Sequence, residues 1–290
     1  MSIGSESYRR ALGATASRAL CILGAAYNVP FVRGVALAVA LLWLAPGSDR
    51  ISSERTGIEV GLPRLMLWAW DRNDDLRFLD PSDTGVAFLA ATVTLRGESV
   101  VLEGRHNPMT LPQHIRRAAV VHVETDHAEP PTMSNNQLHR FVEALAVVGN
   151  EVAHDVLQID FEAAASQRLF LIDAVAALRR RLSGTAISVT ALASWCFNES
   201  WTGRLAADEV VPMLFRMGYD GRRVREQLER GGDFRRSECR SSLGVAVDEL
   251  PTVLPRRGRI YVFSPQRWTA ETYYAVRARI RRWSHDPSFD

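Results

Sequence analysis

Lysine is absent from this sequence, because all 35 basic residues among its 290 are arginines. Reactions that form a Schiff base with a lysine amine are therefore excluded, and pyridoxal phosphate chemistry with them. The phosphate-binding loop that ends in Gly-Lys-Ser/Thr is excluded for the same reason. Any chemistry of this chain must use carboxylates, imidazoles, hydroxyls or guanidinium groups.

Cysteine is scarce as well, with Cys21, Cys196 and Cys239 as the three examples. Three thiols are too few for a disulfide-rich scaffold or for a zinc site with four cysteine ligands. Cys196 and Cys239 could pair in an exported protein, although one follows a strand and the other precedes one, which in a barrel favours opposite ends. Two unpaired, buried thiols are the alternative prediction.

Motifs of several enzyme classes are also missing. The sequence has no His-x-His pair, no His-Glu-x-x-His, no Gly-x-Ser-x-Gly elbow and no glycine-rich nucleotide fingerprint. His122, Glu124 and Asp126 could hold a cation, but a set with one imidazole is a weak metal site. The net charge of +2, without a basic stretch interleaved with aromatic residues, gives no support to nucleic-acid binding. We therefore predict no metal, no cofactor and no nucleic-acid partner.

One hydrophobic run stands near the N-terminus, at residues 34–45, directly after Arg33. It is shorter than the ~20 residues of a transmembrane helix but fits the apolar region of a secretory signal, roughly 7–15 residues. Ala45 and Gly47 then offer small residues for cleavage. We predict a signal or anchor over residues 1–55, and a protein that is exported, periplasmic or tethered to a membrane through residues 34–45. A buried N-terminal helix of the domain is the alternative.

The rest of the chain, residues 56–290, alternates strand-like apolar runs with polar or helical segments. The runs cover residues 65–70, 85–95, 118–126, 156–163, 186–195, 209–217, 243–249 and 259–265. Strands that alternate with helices predict a parallel sheet, and eight of them predict a closed (β/α)8 TIM barrel. The second run departs from the pattern, because it is followed by a β-hairpin insertion that turns near Gly97 and Glu98. An open, doubly wound sheet is the alternative fold.

The fourth run carries Gln158, Asp160 and Glu162 at alternate positions, so these three side chains share one face of the strand. In a barrel that face is the interior, and active sites lie at the C-terminal ends of the strands. Glu162 comes last and is therefore expected at the mouth. We predict Glu162 as a catalytic acid and Asp160 as its partner, which positions the substrate or adjusts the pKa of Glu162.

Further polar and aromatic residues near predicted strand ends are candidates for substrate binding. They are Gln158, Glu124, Asp126, Trp70, Trp195, Arg216 and Asp248. Paired carboxylates near aromatic platforms are typical of glycoside hydrolysis. The alternative is a structural ion-pair network, in which Arg216 neutralises Asp160 or Glu124.

The spacing Asp155-x-x-Gln158-x-Asp160-x-Glu162 resembles the DxxDxDxE signature on the fourth strand of family 18 glycoside hydrolases, the chitinase-like barrels. That resemblance implies that Glu162 is the general acid and that Asp160 orients an acetamido group of the substrate. Gln158 stands where that family has Asp. Residues 213–216, MLFR, stand where it has Met-x-Tyr-Asp.

A second resemblance covers about residues 65–268. The stretches LWAWDRNDDLRFLD, QIDFEAAASQR, VTALASWC, VPMLFRMG, CRSSLGVAVDE and YVFSPQRWT look like an uncharacterised bacterial family, domain of unknown function 3142. It implies a glycosidase-like barrel that is often exported. Together these features predict an exported glycoside hydrolase-like protein that binds a carbohydrate of the envelope or of an exopolysaccharide. The alternatives are a non-catalytic glycan-binding barrel and an envelope scaffold.

Overall fold

The computed structural model describes residues 61–252, 255 and 257–285. The predicted signal or anchor at residues 34–45, and the boundary predicted near residue 55, lie outside these residues. Within them, no helix combines the length and the apolar character needed to cross a membrane.

Eight parallel strands form a closed barrel, as the spacing of the apolar runs predicts. The strands are β1 (Leu65–Ala69), β3 (Thr84–Arg96), β6 (Arg117–Thr125), β7 (Val156–Asp160), β8 (Ala186–Leu192), β9 (Glu209–Met213), β10 (Ser242–Ala246) and β11 (Arg259–Phe263). Each pairs with its neighbours, and β1 pairs with both β3 and β11, which closes the sheet. The alternative of an open sheet is therefore wrong.

The predicted hairpin after the second barrel strand is present. The end of β3 pairs antiparallel with β4 (Ser99–Gly104), and Gly97 at the turn has a φ of +48°, which glycine adopts without a steric cost. Gln137 of the following helix is buried and donates from its side chain to the carbonyl oxygens of Gly97 (2.9 Å) and Ser99 (3.1 Å). The hairpin is therefore fastened to the helical layer.

Helices follow five of the eight barrel strands, so the full (β/α)8 repeat is present only in part. They are α1 (Asn135–Glu151) after β6, α2 (Arg168–Arg181) after β7, α3 (Ala193–Asn198) after β8, α4 (Gly221–Glu229) after β9 and α5 (Ala270–His285) after β11. Among the described residues no α-helix follows β1, β3 or β10. Two short strands, β2 (Asp74–Asp75) and β5 (Met109–Thr110), pair with each other beside the barrel.

The inward-facing side chains of the barrel include a buried polar cluster around Glu209. Its carboxylate accepts hydrogen bonds from Ser188 (2.9 Å) and Tyr261 (2.8 Å), and Ser242 and Arg259 also bind it. A buried carboxylate without such partners would be strongly destabilising, so these four contacts explain how the charge of Glu209 is tolerated in the core. Composition and spacing did not single out Glu209, although it begins its strand on the inward face.

Cys196 and Cys239 form a disulfide, with their Cα atoms 6.0 Å apart. The expectation that they lie at opposite ends of the barrel is wrong. Cys196 lies on α3 and Cys239 in a short turn before β10, so both belong to the layer outside the sheet. The backbone N–H of Arg236 also donates to the carbonyl oxygen of Cys196 (3.2 Å), which holds the two segments together.

Candidate active site

A cavity of about 340 Å³ opens among the C-terminal ends of the barrel strands. It is lined by Trp68, Trp70, His122, Asp160, Glu162, Met213, Phe215, Arg216 and Phe263. Its volume lies near the lower end of the range for small-molecule sites, roughly 300–1,000 Å³. Its position agrees with the rule that TIM barrels carry their sites at this end.

Asp160 is the last residue of β7 and is 9% exposed. Both of its carboxylate oxygens accept hydrogen bonds from the barrel wall. Thr190 on β8 donates to Oδ1 (2.6 Å), and His122 on β6 donates from Nδ1 to Oδ2 (2.8 Å). An acceptor held by two donors from neighbouring strands has a defined orientation in the cavity.

His122 connects Asp160 to the rim of the cavity. Its Nε2 lies 3.7 Å from Oε1 of the exposed Glu124, and its ring forms a T-shaped pair with that of Trp70 at a centroid distance of 5.3 Å. Burial opposes the charged imidazolium, but the hydrogen bond and charge of Asp160, with the charges of Glu124 and Glu162, raise the pKa of His122 above its usual value. The ring therefore keeps a positive charge between carboxylates to higher pH than a free histidine.

Glu162 lies two residues beyond Asp160, past the end of β7, and its side chain is exposed at the cavity rim. Its pKa is nevertheless raised above the usual glutamate value. The main cause is that surrounding protein removes part of its hydration, and the negative charge of Asp160 acts in the same direction. The positive charge of His122 acts against both.

Aromatic rings form much of the wall of the cavity. Phe215 and Phe263 stack with centroids 5.5 Å apart, and Trp68 and Trp70 meet these two rings edge-on at 6.0 and 6.1 Å. Gly244 leaves room for this wall, because a Cβ atom there would come within 2.7 Å of the Trp68 ring. The cavity therefore offers flat apolar faces beside hydrogen-bonding groups.

Arg216 lines the rim but does not neutralise Asp160 or Glu124, so the pairing considered as the alternative is wrong. Its guanidinium binds Asp248 (2.7 Å) and Glu249 instead, and its backbone N–H donates to Glu249 (3.2 Å). These contacts hold Arg216 at a φ of +52°, a region that non-glycine residues seldom occupy. The pKa of Arg216 is raised, chiefly by its hydrogen bonds to Asp248 and Glu249.

Five candidates are not among the lining residues, although Glu124 and Asp248 contact the lining residues His122 and Arg216. The other three are Gln158, Asp126 and Trp195. Gln158 is fully buried, where it accepts from Nε1 of Trp68 (2.8 Å) and donates to Ser188 (3.1 Å). Asp126 lies beside the hairpin, 3.4 Å from Arg96. Trp195 is 3% exposed and packs against Trp201 in the helical layer.

Five lining residues were missing from the candidates for catalysis or substrate binding: Trp68, His122, Met213, Phe215 and Phe263. Met213 and Phe215 continue the alternation that starts at Glu209, and Phe263 continues that of Tyr261. Strand periodicity therefore indicated that these side chains point into the barrel. The sequence indicated His122 only as part of a weak cation site, because a sequence does not show which carboxylate the imidazole meets. Among the described residues no group of three or more potential ligands gathers as a metal site.

The fold and the cavity define an α/β protein with a closed, eight-stranded parallel barrel of the TIM type. Comparisons with protein-family models, with curated proteins and with solved structures found no match for this chain. The barrel implied by the resemblances is thus present, whereas membership in either family stays a prediction.

Proposed function

We propose that this protein is a carbohydrate-active barrel of the glycoside hydrolase type, with Glu162 as its general acid. The observation that carries the proposal is a carboxyl group with a raised pKa at the rim of an aromatic cavity, beside the fixed carboxylate of Asp160. Cleavage of a glycosidic bond requires protonation of the leaving oxygen. A carboxylic acid that keeps its proton to higher pH suits that step.

The remaining groups of the cavity suit the binding of a sugar. Trp70 offers an apolar face for stacking, and Asp160 can accept a hydroxyl or amide hydrogen with its remaining lone pairs. Arg216 adds a polar group at the rim, and Asp248 and Glu124 lie beside the lining residues Arg216 and His122. The DxxDxDxE-like spacing supports the same roles for Asp160 and Glu162.

A non-catalytic glycan-binding barrel is the second candidate. It is favoured by Asp160, because both of its oxygens are already engaged by Thr190 and His122. The two functions share a ligand and differ in whether a bond is cleaved. A screen of residues 56–290 against envelope and exopolysaccharide glycans separates them, if binding and the release of reducing ends are both measured. Hydrolysis supports the first candidate, and binding without hydrolysis supports the second. A protein that neither binds nor hydrolyses any of these glycans would contradict both candidates.

The pH dependence of hydrolysis gives a test of the three groups together. The protonated form of Glu162 is the active one, so the rate should fall as pH rises through its pKa. Asp160→Asn removes a negative charge that raises this pKa, so the decrease in hydrolytic rate should occur at lower pH. His122→Asn removes a positive charge that lowers the pKa of Glu162, so the decrease in rate should occur at higher pH. Rate profiles of both variants that shift in the same direction would contradict this electrostatic model.

We also propose that the protein is exported or membrane-tethered. The disulfide between two fully buried cysteines supports an oxidising compartment, and the hydrophobic run at residues 34–45 supports a signal or anchor. A reporter enzyme fused after Asp49 should be active only outside the cytoplasm. Activity confined to the cytoplasm would contradict this location.

A further inference from the structure

A second cavity, of about 410 Å³, lies on the outside of the barrel against α4. It is lined by Arg223, Glu226, Gln227, Arg230, Gly232 and Arg235. The first four are spaced i, i+3, i+4 and i+7, so they share one face of the helix. The opposite face of α4 packs into the core through Val224 and Leu228.

The turn after α4 completes this cavity. Gly231 has a φ of +76°, and the N–H of Gly232 donates to the carbonyl oxygen of Gln227 (3.0 Å), so the chain folds back along the helix. A Cβ atom on Gly232 would come within 2.7 Å of that oxygen, which explains a glycine at this position. The reversal brings Arg235 into the wall of the cavity, with the arginines of the helix.

The cavity has an excess of positive charge, with three arginines against one glutamate. Glu226 is shared between Arg222 (3.3 Å) and Arg230 (3.7 Å). Arg223 and Arg235 make no ion pair with any residue that the structure describes. By contrast, Arg216, Arg257, Arg259 and Arg277 each bind one or two carboxylates. The guanidinium groups of Arg223 and Arg235 therefore have no acidic partner within the described part of the protein.

We propose that this cavity binds an anionic glycan, through the carboxylate or sulfate groups of its sugar units. Guanidinium groups are suited to such planar or tetrahedral oxyanions, because several N–H groups donate at once. A nucleic acid is disfavoured, since no aromatic side chain lines the cavity for base stacking and the disulfide indicates an oxidising compartment. The proposal does not depend on hydrolysis at Glu162.

One ion pair connects α4 to the rim of the barrel cavity. Arg225 of α4 lies 3.7 Å from Glu249, which also holds Arg216 at the rim of the barrel cavity. The nine residues of α4 span about 13 Å at 1.5 Å per residue. The helix that carries the arginines therefore contacts the segment that holds Arg216 at the barrel mouth.

The test compares two triple variants that lose the same net charge. R223Q/R230Q/R235Q removes the arginines of the cavity, and R180Q/R204Q/R282Q removes three exposed arginines elsewhere on the protein. Binding of heparin, polygalacturonate, neutral dextran and a short DNA duplex is measured at low and high salt. Thermal melting confirms that each variant is folded.

The wild-type protein should bind heparin or polygalacturonate but not dextran, and more weakly at high salt. The cavity variant should bind about tenfold more weakly or worse, because three ion pairs are lost, while the control changes less than about twofold. An equal loss in both variants would show that net charge alone is responsible and would overturn the proposal. Absence of polyanion binding by the wild-type protein would overturn it, as would tighter binding of DNA through the same arginines.

Discussion

Glu162→Gln should lower the hydrolytic rate on any cleaved glycan by about a hundredfold or more, which is the usual scale for the loss of a general acid. The amide keeps the size and hydrogen-bonding reach of the side chain but has no acidic proton to give to the leaving oxygen. Glu162 is exposed at the rim, and it forms no ion pair with the residues that the structure describes. Its replacement should therefore leave the melting temperature and glycan affinity nearly unchanged.

Glu103→Gln is the matched control, because this exposed glutamate lies on β4, outside the cavity lining. It should leave the rate at the wild-type level. The measurement is the initial rate of release of reducing ends, together with a melting curve for each variant. If Glu162→Gln keeps the wild-type rate, the acid lies elsewhere. If it unfolds the protein, Glu162 belongs to a structural network.

Removal of the disulfide should lower the free energy of unfolding by about 4 kcal/mol. Cys196 and Cys239 close a loop of 43 residues, and in the chain-entropy model a loop of this length gives a stabilisation of that size. Both side chains are fully buried, so Cys196→Ala with Cys239→Ala also removes packed sulfur atoms without adding a polar group. Denaturant unfolding of the two proteins under non-reducing conditions measures the difference.

A reductant provides the control for the disulfide. It should lower the unfolding midpoint of the wild-type protein towards that of the double variant and leave the double variant unchanged. If the double variant loses less than about 1 kcal/mol of unfolding free energy, or if reductant affects both proteins equally, the disulfide contributes little to stability. The same protein made in a reducing cytoplasm should behave like the double variant.

Periodicity identified the barrel because strand and helix formation depend on residues that are close in the sequence. The helical pattern at residues 166–182 appears as α2 (Arg168–Arg181), and the run at residues 118–126 appears as β6 (Arg117–Thr125). The run at residues 209–217 is longer than β9, which ends at Met213. Three residues after the strand ends, Arg216 adopts a left-handed conformation, and hydrophobicity alone does not reveal this departure from the extended chain.

The inward direction of Asp160 was also determined by the sequence, since alternation along a strand is a local property. The hydrogen-bonding and ion-pair partners of the charged side chains were not determined by the sequence, because closure of the barrel brings together side chains that are far apart in the chain. His122 meets Asp160 across 38 residues, and Arg216 meets Asp248 across 32. For any one cation the sequence offered several carboxylates as possible partners, and only the folded barrel decided which of them it meets.

The disulfide shows the same division between local and tertiary information. The sequence determined that Cys196 follows a strand and that Cys239 precedes another, but not that both lie in the outer layer within bonding distance. That proximity depends on how α3 packs beside the turn before β10. Packing of this kind is set by the shape of the whole core, which a local pattern does not contain.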